Sequence, residues 1–186
     1  MKNSSFISHL AIAAIVTVLS GLIYAAVQQS YRSGANDPQL QMAKDIVAAL
    51  QKKNSADQLI ITKDTIDISE SLAPFVVLYN NNDEPVQSTG LLDSKLPKLP
   101  QGVFDFTRKN KEDVFSWQPR KGVRMAMVVE HVQSSQIAFV AAGRSLKEVE
   151  KRESNLIEMV FIGWLICITV IIIHWMIVNY YFKKND

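Results

Sequence analysis

Cysteine is almost missing from this sequence: its 186 residues include only Cys167, which lies in an uncharged stretch near the end. The rest of the chain can therefore form no disulfide bond of its own. Disulfides persist in oxidising compartments, but their absence is compatible with any compartment. The cysteine content excludes a disulfide-stabilised domain and assigns no location.

An excess of charge of one sign is also missing. The formal net charge is +2, and basic and acidic residues are equal in number once Lys2, Lys183, Lys184 and Asp186 are set aside. Proteins that bind nucleic acid carry a basic patch that neutralises phosphates. The balance of charge predicts no nucleic-acid partner.

Sequence motifs of the common enzyme classes are absent too. The chain has no glycine-rich phosphate loop, no His-Glu-x-x-His pair, and no Ser or Cys nucleophile with a paired base at an informative spacing. His131 stands alone at the end of a strand-like segment, where we expect it to be exposed. We therefore expect no catalytic residues, no cofactor and no metal site.

Two long uncharged runs are present, at residues 6–27 and 159–182. The second, at ~1.5 Å per residue, forms a helix of ~36 Å and exceeds the ~30 Å hydrocarbon layer of a membrane. We predict transmembrane helices at both runs, with short cytoplasmic tails at 1–5 and 183–186. The lipid bilayer is then a partner of the chain.

A cleaved signal peptide is the alternative interpretation of the first run, because Lys2 precedes it. The run is longer than the ~7–15 residues typical of the apolar part of a signal peptide. Tyr24-Ala25-Ala26 also fits a small-x-small cleavage site poorly. We expect an uncleaved membrane anchor.

The charges beside the two spans conflict over orientation. Basic residues on the loop side of the second span favour a cytoplasmic loop: Arg144, Lys147, Lys151 and Arg152. Lys2 and the amino terminus favour a cytoplasmic start, the first helix usually dominates, and long loops translocate largely regardless of charge. We expect both termini in the cytoplasm and the central domain outside it.

The central domain is predicted at residues 28–144. Gly34 is a plausible helix terminator, and Asn36-Asp37-Pro38 is a restart pattern, so we expect a break between the first span and the next helix. Apolar residues then recur at helical spacing and predict an amphipathic helix at 38–53. We expect its apolar side to pack on a sheet.

Five segments rich in apolar and β-branched residues predict strands, and polar turns join two pairs of them as hairpins. The strands are predicted near residues 75–79, 85–89, 114–118, 123–132 and 137–142. From Leu91 to Asp113 we expect loops, with at most a short helix near Val103 to Arg108. The sequence thus predicts an α+β domain with an antiparallel sheet of about five strands.

A final helix is predicted from Ser145, because Ser145-Leu146-Lys147-Glu148 has the spacing of a capping box. No proline and only Gly163 interrupt the chain from there to Phe182. We therefore expect an exit helix at 145–158 that continues into the second span and couples the domain to it.

The order of these elements resembles a PAS-like or single-Cache sensor module between two membrane spans. Gly143-Arg144-Ser145-Leu146 with Val149-Glu150 is similar to the junction at which extracytoplasmic sensor domains of bacterial histidine kinases enter their second transmembrane helix. Two further motifs resemble small, poorly characterised two-span bacterial membrane proteins: Ser116-Trp117-Gln118-Pro119 with Gly122-Val123-Arg124, and Gly90-Leu91-Leu92-Asp93 before Pro100-Gln101-Gly102-Val103.

This resemblance covers most of residues 36–160 and implies a sensor-like binding protein in a prokaryotic inner membrane. A kinase would continue beyond the second span into a transmitter domain, whereas four residues follow here. We therefore expect no transmitter domain, and signalling through a partner membrane protein or a homodimer. The alternative is a structural or accessory subunit of a membrane complex that binds no small molecule.

Single-Cache-like modules bind small ligands between the sheet and its covering loops, which implies a pocket here and, with an arginine in it, a carboxylate ligand. Tyr79, Trp117 and Arg124 are the candidate ligand-binding residues, and Arg144, Ser145 and Glu148 form the candidate signal-exit junction. The alternative is that Arg124 pairs with an acidic neighbour on the surface while Trp117 fills the core.

Small residues recur every four positions along the first span, at Ala13, Thr17, Gly21 and Ala25. This pattern lets helix backbones approach closely, either in a homodimer or against the chain's own second span. His9 and His174 are expected at matched depths in the two spans. They suggest haem, a metal or a shared proton, although the neighbouring Trp175 favours a structural role near the interface.

Overall fold

The computed structural model describes residues 2–52, 65–132 and 136–184, and the chain divides into two compact units. A helical unit comprises Met1–Tyr31 and Glu150–Asp186, and an α+β unit comprises Arg32–Val149. The elements in chain order are α1 (Lys2–Lys52), β1 (Ile66–Asp67), β2 (Phe75–Tyr79), β3 (Pro85–Ser88), β4 (Gly90–Leu91), α2 (Gln101–Asn110), β5 (Glu112–Arg120), β6 (Val123–His131), β7 (Phe139–Ser145) and α3 (Lys147–Lys184).

The α+β unit contains a five-stranded antiparallel sheet in the order β3-β2-β7-β6-β5. The predicted α+β fold with an antiparallel sheet of about five strands is thereby confirmed. The strands begin and end within a few residues of the predicted positions, because runs of β-branched and apolar residues bounded by polar turns determine them locally. The predicted turn residues 133–135 lie outside the described residues.

Both faces of this sheet are covered. One face packs against Ala43 and Leu50 of α1, whereas the other packs against Leu99 and Phe104 from the loop and helix that follow β4. The three central strands consequently carry apolar residues on both faces, and β2 is buried at all of its positions. The sheet partner predicted for the amphipathic helix is confirmed.

The predicted break in α1 is wrong. The helix continues from Lys2 to Lys52 with Pro38 inside it. A proline there removes one backbone hydrogen bond and crowds the carbonyl four residues earlier, at Gly34. The turns after the proline compensate by burying Ala43 and Leu50 in the α+β unit.

A two-stranded parallel sheet, β1 with β4, was not predicted. Ile66 pairs with Gly90 and Asp67 pairs with Leu91. Strands of two residues are too short to show the alternation of apolar and polar residues from which strands are predicted. This pair matters because it adjoins the loop that forms the candidate site.

α3 begins at Lys147, two residues after the predicted cap. Ser145 still belongs to β7, where it pairs with Met125. Its hydroxyl accepts a hydrogen bond from the backbone N–H of Lys147 at 3.3 Å. Glu148 lies 3.6 Å from Arg144 in an ion pair.

Two helices are long and apolar enough to cross a membrane, within Phe6–Lys52 and Lys147–Tyr181. In the helical unit His9 contacts His174, and Trp164 Nε1 donates to Thr17 Oγ1 at 2.9 Å. From His9 to Thr17 the contacting position moves forward along α1, while its partner moves back along α3 from His174 to Trp164, so the two helices are antiparallel. Their large apolar side chains are about half exposed all round, as in Leu22 at 60% and Phe161 at 57%.

Candidate functional site

A surface cleft of about 560 Å³ lies beside one end of β5. Its lining residues come from two segments: residues 92, 93 and 95–98 of the loop after β4, and residues 117–119 of β5. Both segments belong to the α+β unit and lie on the sheet face that carries α2. The cleft therefore occurs between the sheet and a covering loop.

A tight turn forms one wall of the cleft. Leu92 and Lys95 exchange two backbone hydrogen bonds, of 2.9 and 3.0 Å. Asp93 and Ser94 between them have φ values of 51° and 61°. Positive φ at both central residues is the requirement of a type I′ turn, which Asp tolerates better than most residues and Ser only with strain.

An ion pair joins this turn to β5. Arg120 Nη1 donates to Asp93 Oδ1 at 2.6 Å, and both side chains are about half exposed. Such an exposed pair contributes only ~0–1 kcal/mol to stability, so it can open at little cost. Lys95 and Lys98 add positive charge to the same loop, and Lys98 lies 4.0 Å from Glu84.

The base of the cleft is apolar and rigid. Trp117 is 8% exposed and packs in the core, while Tyr79 is completely buried. The Tyr79 hydroxyl donates to the carbonyl of Pro97 at 2.8 Å and so holds the covering loop from below. Burial raises the pKa of the Tyr79 phenol, which keeps the proton that this hydrogen bond requires.

The three predicted ligand-binding residues do not meet in one place. Trp117 lines the cleft and Tyr79 supports it from the same face of the sheet. Arg124 alternates with Val123 and Met125, which face the cleft side, so its exposed side chain lies on the opposite face. The structure thus brings Trp117 and Tyr79 together at the cleft and does not bring Arg124 there, because the sequence did not show which sheet face the covering loop occupies.

The ion pair between Asp93, which lines the cleft, and Arg120, which follows the lining segment 117–119, was not predicted. Asp93 and Arg120 are 27 positions apart in sequence, and only the fold brings them together. The sequence feature that could have indicated this region is Leu92-Asp93-Ser94-Lys95, in which two polar, turn-forming residues separate Leu92 from Lys95, the two residues that pair in the structure. It indicates a tight turn but gives no indication of a cleft.

The predicted signal-exit junction makes specific contacts. Arg144 Nε donates to the carbonyl of Leu72 at 3.2 Å, and Lys147 Nζ donates to the carbonyl of Ser69 at 3.0 Å. These bonds attach the end of β7 and the start of α3 to the turn after β1. Sequence analysis singled out Arg144 but did not predict Lys147 as its companion.

The turn after β1 is itself held by Asp67. Its carboxylate accepts hydrogen bonds from the Ser69 backbone N–H at 2.8 Å and from the Ser69 hydroxyl at 2.7 Å. These hydrogen bonds from Ser69 lower the pKa of Asp67. The turn is thus a defined structure rather than a loose connection.

A chain of contacts joins this turn to the cleft. Asp67 pairs with Leu91 in the β1-β4 sheet, and the cleft turn starts at the next residue, Leu92. Gly90 permits this close approach, since a Cβ there would lie 2.9 Å from Phe75 Cβ. The cleft, the two-stranded sheet and the exit junction are therefore contiguous.

A second cluster of charge lies away from the cleft. Glu112 and Glu130 are directly opposed on β5 and β6, and Lys44 Nζ lies 3.1 Å from Glu112 and 4.0 Å from Glu130. Burial, and then the adjacent Glu112, raise the pKa of Glu130 to about 7. Within residues 2–52, 65–132 and 136–184, no group of three or more His, Cys, Asp or Glu is placed to hold a metal ion.

Thr17, in the row of small residues of α1, contacts α3. The Thr17 hydroxyl donates to the Ala13 carbonyl at 2.8 Å and accepts the hydrogen bond from Trp164 of α3. A Cβ added at Gly21 would have no heavy atom within 4 Å, and Ala25 is exposed. Thr17 thus contacts the chain's own second helix.

Comparisons with known proteins give no family. No protein-family model matches the chain, and no curated protein matches it. Among solved structures, the chain is similar to the ligand-binding domain of the Pseudomonas aeruginosa PAO1 amino acid chemoreceptor PctC in complex with GABA, at 13% identity and a TM-score of 0.42. The match covers 74% of this chain and 62% of that one.

Proposed function

We propose that this protein is a membrane-anchored, sensor-like binding protein that takes up a small anionic molecule in the cleft. Binding would act on the exit helix α3, and through it on a partner membrane protein. The observation that carries the proposal is the continuous set of contacts from the Leu92–Lys95 turn to Arg144 and Lys147.

Membrane anchoring rests on the surfaces of α1 and α3. A helix that is apolar on all sides is stable in a protein core or in lipid. The two apolar windows are almost entirely unburied, with 0% and 6% of their residues inside the protein. Lipid is therefore the partner that their exposed side chains require.

The expected orientation places both termini in the cytoplasm and the α+β unit outside the inner membrane. The charge rule is divided here, so the proposal needs a direct test. Protease added to intact spheroplasts should cleave the α+β unit while a cytoplasmic control protein stays intact. Cleavage that occurs only after the membrane is opened would place the domain in the cytoplasm and contradict the external position.

The ligand chemistry follows from the charges that line the cleft and from Arg120, which lies beside it and pairs with Asp93. Arg120 already binds one carboxylate, that of Asp93, through an exposed ion pair. A ligand carboxylate can replace Asp93 there, since guanidinium groups bind carboxylates through paired hydrogen bonds. Lys95 and Lys98 add attraction for an anion, and Trp117 offers an apolar surface.

Replacement of Asp93 would be the event that reports binding. Releasing Asp93 frees the Leu92–Lys95 turn from β5, and the adjoining Leu91 is hydrogen-bonded to the turn that Arg144 and Lys147 hold. A shift of this turn changes the start of α3. Because α3 is one helix from Lys147 to Lys184, the change reaches the membrane-spanning part.

A thermal-stability screen of the full chain in lipid nanodiscs tests the binding site. The probes are small carboxylates: acetate, succinate, citrate and the common amino acids. A probe at 100 times its dissociation constant should stabilise the fold by ~2.7 kcal/mol and raise the Tm. Arg120→Gln should abolish the shift.

Arg124→Gln is the matched control, because Arg124 is an exposed arginine on the opposite face of the same sheet. It should retain the shift in full. A shift that Arg124→Gln removes and Arg120→Gln leaves would contradict the site. No shift with any probe, together with a co-purifying membrane protein, would favour the accessory-subunit alternative.

A further inference from the structure

Two imidazole side chains form a direct hydrogen bond between α1 and α3. His9 Nε2 and His174 Nδ1 lie 2.9 Å apart, and their ring centroids are separated by 5.2 Å. The residues are 165 positions apart in sequence. The binding function proposed for the cleft makes no use of this pair.

The surroundings of the pair are free of formal charge along both helices. No Asp, Glu, Lys or Arg occurs between Lys2 and Arg32 on α1, or between Glu158 and Lys183 on α3. The titratable groups closest to His174 along its own helix are Cys167 on one side and Tyr180 and Tyr181 on the other. At ~1.5 Å per residue they are ~9–11 Å from His174 along the helix axis.

The pair lies within the hydrocarbon layer when the spans are inserted. His9 is ~11 Å along the helix from the middle of the predicted span 6–27, and the half-thickness of the layer is ~15 Å. Ionisable side chains at such depth are costly in lipid and are kept for function. This step rests on the proposed membrane insertion.

We propose that His9 and His174 together form a site that binds a single proton inside the membrane. In the neutral pair, one ring donates its N–H to the lone pair of the other across the 2.9 Å contact. A proton from water adds to the outer nitrogen of the donating ring, because the outer nitrogen of the accepting ring already carries its hydrogen, and the contact hydrogen bond becomes imidazolium to imidazole. It is then charge-assisted and about twice as strong.

A second proton is excluded by the same geometry. Both contact nitrogens would carry hydrogen, so the hydrogen bond would be lost and two positive charges would face each other in an apolar environment. The pair therefore takes up one proton, not two. Uptake strengthens the contact between α1 and α3 at this end.

A metal ion fits this geometry less well than a proton. Two nitrogens bound to one Zn²⁺ at ~2.0–2.1 Å with tetrahedral angles are ~3.3 Å apart, and the ion requires further ligands. The contact here is shorter, and the described residues supply no third His, Cys, Asp or Glu. The shared atom that matches the distance is hydrogen.

The test uses the full chain in phospholipid vesicles, with ¹⁵N-labelled histidine and the substitution His131→Gln. The protein contains three histidines, so this background leaves only the pair visible. Solid-state NMR at neutral pH should show a coupling between one nitrogen of each ring. Titration from pH 8 to pH 4 should add one proton per chain, in one step that shifts both rings.

His9→Phe and His174→Phe are paired variants that keep a flat ring at each position. Each should abolish the nitrogen coupling and leave a lone histidine with a changed titration. Two independent steps near the ordinary pKa of ~6.5, or no coupling in the parent protein, would overturn the proposal. Changes in the histidine NMR signals at one equivalent of added Zn²⁺ would show that the pair binds a metal ion and would contradict the proton site.

Membrane insertion is checked separately by alkaline carbonate extraction of the same vesicles. Protein that stays in the pellet but shows no coupling refutes the proton site alone. Protein that is released refutes membrane anchoring, and with it both the proposed function and the intramembrane site.

Discussion

The electrostatic properties of single residues in this protein depend on the side chains that the sheet places opposite them. Glu112 and Glu130 are ordinary in sequence, yet antiparallel pairing sets two carboxylates face to face. Lys44, a residue of α1, lies near both carboxylates and offsets part of the repulsion between them. Arg124 illustrates the converse, since the resemblance to single-Cache modules implied a binding role and the residue lies on the sheet face opposite the cleft.

Glu130 gives the residue-scale prediction, a stability that falls as pH rises. Its pKa rises from 4.5 to about 7 on folding, so the folded chain holds this proton more tightly than the unfolded chain. The contribution of Glu130 to the free energy of unfolding should be largest below pH ~4.5 and should decline up to about pH 7. Glu130→Gln should remove that decline in Tm, measured on the full chain in nanodiscs.

Glu84→Gln is the control for this measurement, because Glu84 is an exposed carboxylate near Lys98. It should preserve the slope between pH 4.5 and 7. Asp113, whose pKa burial also raises, contributes in the same direction, so the comparison rests on the difference between variants. An unchanged slope in Glu130→Gln would show that the carboxylate pair does not govern it.

Elements in this chain are held by a few polar bonds at positions that periodicity does not mark. The sheet forms from apolar runs, whereas backbone carbonyls in and after the turn that follows β1 accept hydrogen bonds from Arg144 of β7 and Lys147 of α3. In the helical unit, Thr17 and Trp164 do the equivalent between α1 and α3. Such directional bonds define the positions of neighbouring elements along each other, which non-directional apolar contacts do not specify.

Thr17→Val gives a prediction at the scale of the helix pair. Valine keeps the shape but removes the acceptor for the Trp164 indole N–H, which lipid cannot replace. Hydrogen bonds between membrane helices are worth ~0.6–2 kcal/mol. Unfolding of the full chain in bicelles by SDS should show a loss of that size.

Thr169→Val is the matched control, because the Thr169 hydroxyl donates only to the Leu165 carbonyl of its own helix among the bonds described. It should change the unfolding free energy by much less. Equal losses in the two variants would mean that the contact between Thr17 and Trp164 does not stabilise the pair.

At the scale of the whole molecule, two units share two helices. The boundary between the units falls after Tyr31 within α1 and after Val149 within α3. Each helix therefore has one part in the α+β unit and another in the helical unit. A change at the start of α3 is thus a change in an element that both units contain.

Lys147→Ala tests that coupling. It removes the hydrogen bond from Lys147 Nζ to the Ser69 carbonyl, worth ~0.5–1.5 kcal/mol, while the cleft residues stay intact. Hydrogen exchange should show a loss of protection of the Ser71 N–H, which bonds to Asp67, and of the first turn of α3. A carboxylate probe should still bind but no longer alter exchange in α3.

Lys151→Ala, at an exposed position one turn further along α3, is the control and should leave both exchange and its response to the probe unchanged. Loss of the response in both variants would indicate a general weakening of the helix. Persistence of the response in Lys147→Ala would show that the change travels by another route.

Sequence alone determined the two apolar spans, the five strands and the α+β class, because each depends on patterns within a few neighbouring residues. It could not determine that α1 passes through Pro38, since packing on the sheet decides it. Tertiary structure alone brought Asp93 to Arg120, Lys147 to Ser69 and His9 to His174. These pairs are 27, 78 and 165 positions apart, and only the folded chain closes such distances.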